Sequence, residues 1–528
     1  MKKVLYLLLL VSVGAGAADP AVQARARAAE ALPRVIYNND GGDAYLYPAD
    51  REFSIAGFLA LRTTSLTGTA VGAISYCTIT SSFGQFTHPT KYGEFLDGPH
   101  HRPRVRNVTA EFAKLGTDPL REEIRFAREH GLKIFWSNRM NDTHDASHRE
   151  DKPSEHFSKL KREHPEYLFG AIGERKPFGV WSAVDYARPE IRELAVRFFA
   201  EVAENYDVDG VEMDFCRHFH LFKRVSEGEF ATDTEREMLL DMVRRIRRAV
   251  DAAAAKRGRP ILISMRVPDS PEFCRLAGLD VEAICREHLV DAVIGGGYFH
   301  FRPWKKFAEF ARKYGVRSYA NISEPRLVKV DPLLSRRDAM VWRARAAAAL
   351  AHGVDGIYIF NQFGLRRAEW AYATELRDPE AMMRKNKYYL ATYLGTRGAS
   401  QLLKNALPHN ELPGFFPQSP RTLDGRLDVP FETAERVTPQ AVYVLVESLP
   451  ADALEIRLNG RAVEFAGRRG NVTIWRAAPE ALEPLDNVVT LSGKAKLFDC
   501  GLLAVHDPGD NNRILRSLLR NIKKGLDE

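Results

Sequence analysis

Apolar positions along this chain recur in two rhythms. Short runs dense in β-branched and aromatic residues alternate with longer stretches whose apolar positions fall three and four apart. The first rhythm is that of strands buried on both faces, the second that of amphipathic helices. Eight runs predict strands: RVIYNN (34–39), VGAISYCT (71–78), LKIFWSN (132–138), VDGVEMDF (208–215), ILISMRV (261–267), DAVIGGG (291–297), VRSYANI (316–322) and VDGIYIFN (354–361). Between them Pro189 stands at a first helical position, followed at helical spacing by Ile191, Leu194, Ala195, Phe198, Phe199 and Val202. Thr232 and Glu235 form a capping box ahead of Met238, Leu239, Met242, Ile246 and Val250. Residues 304–314 and 335–352 carry the same spacing. Strand-helix alternation implies right-handed crossovers and a parallel α/β sheet, and eight repeats fit a (β/α)8 or TIM barrel. The alternative, a doubly wound open sheet, wants a Gly-rich phosphate turn after its first strand. YNNDGGDAYLY lacks the GxGxxG spacing.

Two further patterns refine this layout. VDGVEMDF at 208–215 is echoed by VDGIYIFN at 354–361, with Tyr358 in the place of Glu212 and Phe360 in that of Asp214. The strand framework therefore does not itself demand carboxylates there. Past residue 395 the texture changes. ELPGFFPQSPRTLDG (411–425) reads as a connection, and AVYVLVES, ALEIRLNG, NVTIWRA, NVVTLSG and GLLAVHD read as short alternating strands with turns such as Asn459-Gly460. These predict a β-sandwich over 410–508 after a barrel over 33–395, closed by an amphipathic basic helix over 510–528 that packs on the surface.

Composition changes the picture little. Of 528 residues 45% are hydrophobic and 27% charged, and 76 basic against 69 acidic residues leave a net +7. The signs are interleaved, so no nucleic-acid footprint is expected. Five widely spaced cysteines contain no CxxC pair and read as buried small hydrophobes. Lys2 and Lys3, the apolar run Val4–Val13 and Ala15-Gly16-Ala17 read as a signal peptide over 1–17, cut before Ala18. That predicts a secreted or periplasmic protein without stable membrane insertion.

Candidate chemistry follows from the barrel, whose active sites lie at the C-terminal ends of the strands. There the chain gathers Asn38, Asp40 and Asp43 after the first strand, then Asn138, Arg139, Asn141 and Asp142 after the third. Glu212, Asp214 and Arg217 follow on the fourth, Arg266 on the fifth, Tyr298 and His300 after the sixth, Asn321 and Glu324 after the seventh, and Asn361 after the eighth. On a strand Glu212 and Asp214 share one face, and two inward carboxylates are costly unless paired or used. Carboxylates among Arg, Asn and aromatic neighbours suit glycoside hydrolysis, which sets two carboxyl groups across the scissile bond. Asp214, Glu324 and Glu212 are the catalytic candidates. Asn138, Arg139, Asn141, Asp142, Arg266, Tyr298, Asp43, Trp136 and Asn361 are the substrate-binding candidates. The stretch HPEYLFG to FCRH (164–218), with Pro189-Glu190-Ile191-Arg192 before Tyr206–Gly210 and Asp214, resembles the glycosyl-hydrolase-like family-10-type barrels of polysaccharide-degrading bacteria. The resemblance covers about residues 33–375 and implies a TIM barrel acting on glycosides with Asp214 as the matched acid. The chain departs from it in carrying Glu212 and its own SNRMNDTHD loop (137–145). The expected partner is a carbohydrate, with no cofactor and no catalytic metal, although His218-Phe219-His220 is an HxH. A non-catalytic carbohydrate-binding barrel and a metal-dependent sugar deacetylase are the competing readings.

Overall fold

The computed structural model describes residues 20–99, 102–297, 300–323, 338–363, 370–391 and 421–525. The expected signal segment, Tyr298, Glu324 and most of the 411–425 connection lie outside these residues. Eight parallel strands close into a barrel: β1 (Val35–Asn39), β2 (Ala73–Cys77), β3 (Lys133–Arg139), β4 (Gly210–Asp214), β5 (Leu262–Val267), β6 (Ala292–Gly297), β7 (Arg317–Ser323) and β8 (Gly356–Phe360). Each neighbour in sequence is a neighbour in space, and β8 returns to β1 through the Ile36–Tyr358 register. Each of the eight predicted runs holds one of these strands, so the TIM barrel stands on its own strand order.

The helices between them include α1 (Pro119–Glu129), α2 (Pro189–Asn205), α3 (Asp233–Arg257), α4 (Trp304–Lys313) and α5 (Ala339–Ala351). Pro189 opens α2, and the Thr232–Glu235 capping box opens α3 with both of its reciprocal bonds formed. Outward residues of the strands and the apolar faces of the helices make one large core between the two layers.

The N-terminal ends of the strands are tied by a repeated clamp. Asp209 donates its backbone N–H to Ile134 O and accepts the Ile134 N–H on its carboxylate, at 2.8 and 2.9 Å. Asp291 does the same to Ile263, and Asp355 to Ser318. This accounts for the Asp of the VDG echo. The Gly has its own cause: a Cβ on Gly210 would stand 2.2 Å from Phe135 Cε1, and one on Gly356 2.4 Å from Tyr319 Cε1. In both copies the glycine makes room for the ring of the preceding strand.

The second sheet contains β9 (Lys387–Leu390), β10 (Arg421–Glu432), β11 (Ala441–Leu449), β12 (Leu454–Leu458), β13 (Arg461–Ala462), β14 (Glu464–Arg469), β15 (Val472–Ala477) and β16 (Asp486–Val505). Its pairings are antiparallel, and β16 binds four partners, β9, β10, β11 and β12. Leu427, Val429, Ile456 and Leu491 from one half share a core with Val442, Val444 and Leu502 from the other, so the sheet folds over as a sandwich. The runs NVVTLSG and GLLAVHD, read as two strands, are one strand of 20 residues. Its polar stretch at Ser492-Gly493-Lys494 imitates a turn but stays paired to Asp424–Arg426 of β10. The outer face of β11 is covered by helix α6 (Arg513–Gly525) through Ile514, Leu515 and Leu518. No helix of the described residues is long and apolar enough to cross a membrane. All five cysteines are free and buried.

Candidate active site

Strand alternation sorts the barrel interior from its wall. Ile36, Ala73, Phe135, Leu262, Ile294, Tyr319, Tyr358 and Phe360 cluster inside the barrel. Two residues further along the same strands, the inward positions become Asn38, Ser75, Ser137 and Ser264, with Arg266 two beyond that, so the interior passes from apolar to polar toward the C-terminal mouth. Gly210, Glu212 and Asp214 occupy the inward positions of β4, and the β4–β5 register sets Asp214 beside Arg266.

Asp214 is 1% exposed, and its two oxygens are filled with donors. Arg266 grips it in fork geometry, with Nε to Oδ1 and Nη2 to Oδ2 both at 2.9 Å. Arg217 Nε donates to Oδ2 at 3.1 Å, and the Cys216 backbone N–H to Oδ1 at 3.0 Å. Both guanidiniums lie over the ring of Phe360, at 3.9 Å for Arg266 and 4.5 Å for Arg217. Planar guanidinium matches both a carboxylate edge and an aromatic face, which lysine would not. Two guanidiniums thus converge on one carboxylate.

Glu212 lies one inward position deeper. Ser137 Oγ and Tyr358 OH both donate to its Oε1, at 2.6 and 2.8 Å. Burial raises its pKa, and the nearby charge of Asp214 raises it further. Glu212 thus holds a proton more readily than a free glutamate, beside a carboxylate gripped by two guanidiniums, a contrast of the kind that divides acid from base.

The other expected residues divide. Arg139 lines the mouth, donating to Thr80 O at 2.9 Å and Asp40 O at 3.0 Å, and stands 3.6 Å from Asp142. Burial opposes ionisation of Asp142, but His144 and Arg139 outweigh it and hold the carboxyl well below the usual range. Asn361 follows β8 with φ 53°, a left-handed conformation that Asn tolerates. Asn141 is a brace between loops, bonded to the backbone of Val184 and His220. Asp43 is held in the wall by Asn39 at 2.6 Å and Tyr76 at 3.0 Å, and burial raises its pKa. Asn138 contacts Met140 Sδ at 3.4 Å from the outward side of β3.

Trp136 requires correction. It was expected to offer a stacking face to a sugar, yet it lies in the outer core, packed on Phe199 and bonded through Nε1 to Thr78 Oγ1 at 2.7 Å. With Ser137 and Arg139 inward, Trp136 must point outward. Phe215 is outward for the same reason.

Phe360, Tyr358 and Arg217 are central to the site yet were not among the expected binding residues. Their signal lay in the echo, which placed Tyr358 and Phe360 in phase with Glu212 and Asp214. Asn321 adds an amide on inward-facing β7 that is 1% exposed and has neither group bonded. No group of three or more His, Cys, Asp or Glu among the described residues is placed to hold a metal ion. The HxH pair is instead two rings with centroids 4.8 Å apart, His220 buried and His218 half-buried, and desolvation lowers the pKa of both.

No protein-family model matches the chain, and the search of curated proteins gives no match. Among solved structures it is similar to the α-L-fucosidase isoenzyme 2 of Paenibacillus thiaminolyticus, with 16% identity and a TM-score of 0.43 over 69% of this chain and 52% of that one. It thus spans about half the length of that enzyme. A further likeness is to the PgaB (BpsB) glycoside hydrolase domain of Bordetella bronchiseptica, with 11% identity and a TM-score of 0.39 over 66% and 98% of the two chains. A family GH18 chitinase of Chromobacterium violaceum has 10% identity and a TM-score of 0.35 over 90% and 88%.

Proposed function

We propose that this protein is a secreted glycoside hydrolase whose mouth carboxylates act on a glycosidic bond in a poly- or oligosaccharide. One observation carries the reading: Glu212 and Asp214 stand on one inward face, the first pushed toward its protonated form, the second held by two guanidiniums. Glycoside cleavage needs that division, a proton for the leaving oxygen and a negative carboxylate toward the oxocarbenium-like centre. Asp214 serves as the charged partner, acting with Glu212 or Glu324. Arg217 and Arg266 fix the orientation of Asp214, Arg139 is offered to substrate hydroxyls, and Asn321 offers an amide to a sugar hydroxyl. The local likeness of residues 180–215 to family-10-type barrels supports the same chemistry.

The second reading, a barrel that binds carbohydrate without cutting it, is favoured by the saturation of Asp214, which leaves its oxygens little freedom to attack. Reducing-end release from plant, algal and microbial polysaccharides separates the two, with wild type beside Asp214→Asn and Glu212→Gln. Activity on one glycan that both variants lose establishes the hydrolase. Retention of a glycan on a column with no cleavage by any of the three establishes the binding barrel.

A further inference from the structure

Beside the mouth, the loops that follow β1, β2 and β3 enclose a hollow of about 200 Å³ that opens at the exposed residues Gly98, Pro99 and Arg162. Tyr45 is the partition. One side of it lies in the field of Arg139 and Asp40 at the mouth, and the other forms a wall of the hollow. His156 meets the Tyr45 ring edge-on, with centroids 5.5 Å apart, and Leu96 and Phe157 complete the apolar lining.

Gln85 is the residue of this lining with an acceptor to spare. Gln85 spends its amide N–H on Glu94 Oε1 at 2.6 Å, and its own Oε1 is buried without a hydrogen-bond partner. Burial pushes the Tyr45 hydroxyl up to about 12, so it remains a neutral donor. Asn107 fixes the rim by donating to Leu96 O and Gly98 O at 3.1 and 2.8 Å. Glu155 and Arg162 bring one charge of each sign, so the lining selects no ionic ligand. Apolar and aromatic walls with one buried acceptor and one hydroxyl donor match a ring that has a C–H face and a hydroxyl rim.

We propose that this hollow is a second carbohydrate subsite, seating one uncharged sugar ring of the same glycan that reaches the mouth. The assignment rests on the glycosidase reading and makes the substrate an oligomer engaged at two places, on the side of β1 to β3. Occupying the hollow contributes binding energy that a short substrate cannot reach.

The test uses oligosaccharides of increasing length from whichever glycan the wild-type protein cleaves. The expected result is that kcat/KM rises tenfold or more when the chain becomes long enough to fill the hollow. Gln85→Leu and His156→Ala each remove most of that rise, so the long-to-short ratio of kcat/KM falls toward one. A ratio that is flat in the wild type, or unchanged in both variants, overturns the subsite while leaving the hydrolase intact. Absence of cleavage of every glycan overturns the hydrolase. In that event calorimetric titration with oligosaccharides of a glycan that the protein retains on a column decides the subsite: binding weakened tenfold by the two variants sustains it, and equal or absent binding overturns it. Circular dichroism of each variant confirms the native fold before its result is read.

Discussion

At the scale of single residues, one rule carried most of the information. Period-two alternation put Glu212 and Asp214 inside and Val211, Met213 and Phe215 outside, as the structure has them. The same rule applied to IFWSNR turns Trp136 outward, onto Phe199 and away from the barrel interior. The partner of Asp214 was less legible, because Arg266 reaches it through a register between two strands that the sequence does not contain. That pairing has a cost when broken. Asp214→Asn takes away the carboxylate charge that Arg266 and Arg217 both grip, and removing one partner of a buried ion pair destabilises by about 3–5 kcal/mol. Urea denaturation of the variant should show it, and a loss below 1 kcal/mol would mean that the pair is solvated. Glu212→Gln is expected to behave oppositely. The amide oxygen still accepts from Ser137 and Tyr358, so stability stays close to wild type. Removing this ionisable carboxyl lowers kcat by about 10²–10⁴-fold on any glycan the protein cleaves.

At the scale of elements, the barrel strands were legible because burial on both faces leaves short apolar runs that need no partner to be recognised. The sandwich was legible as a class but not in its joints. β9 is four residues with no alternation of its own, and it exists because the far half of β16 lies beside it. β16 was read as two strands because solvent reaches its middle. The VDG echo looked like a trace of barrel symmetry, and its physical content is a clamp plus a hole. A methyl group at Gly210 or Gly356 has to displace Phe135 or Tyr319 inside a closed barrel, which costs about 1–3 kcal/mol. Thermal melts of Gly210→Ala and Gly356→Ala should fall together. Phe135→Leu should restore part of the loss for the first and none for the second.

At the scale of the whole molecule, buried imidazoles set the pH range of stability. Burial lowers His88 from 6.5 to about 3 and His218 to about 4, and holds His220 well below its ordinary value. The unfolded chain binds these protons first, so stability falls as pH drops below 6.5 toward 3. His300 acts in the other direction. Burial lowers it, but Asp269 at 2.5 Å and Glu432 at 3.4 Å outweigh that and raise it to about 9. Its contribution is complete below 6.5 and disappears as pH rises through about 9. Melting temperature against pH should therefore form a dome, with His88→Gln flattening the acid side and Glu432→Gln the alkaline side. His300 follows β6 and Glu432 ends β10, so the alkaline side reports on the junction between barrel and sandwich. The same junction is crossed by α5, which buries apolar residues on more than one face. Trp342, Ala346 and Ala349 lie in the barrel core, whereas Met340, Val341, Ala344 and Ala348 lie in the cores of the sandwich. A ribosome finishes the barrel strands at Phe360 but supplies the far end of β16 only at Val505. During that interval the nascent chain carries a closed barrel with one greasy flank and the unpaired strand β9, a surface that invites chaperones or neighbouring chains. A fragment ending at Ala391 should therefore aggregate when synthesised alone and become recoverable when residues 421–525 are supplied in trans, with sedimentation of the fragment as the readout.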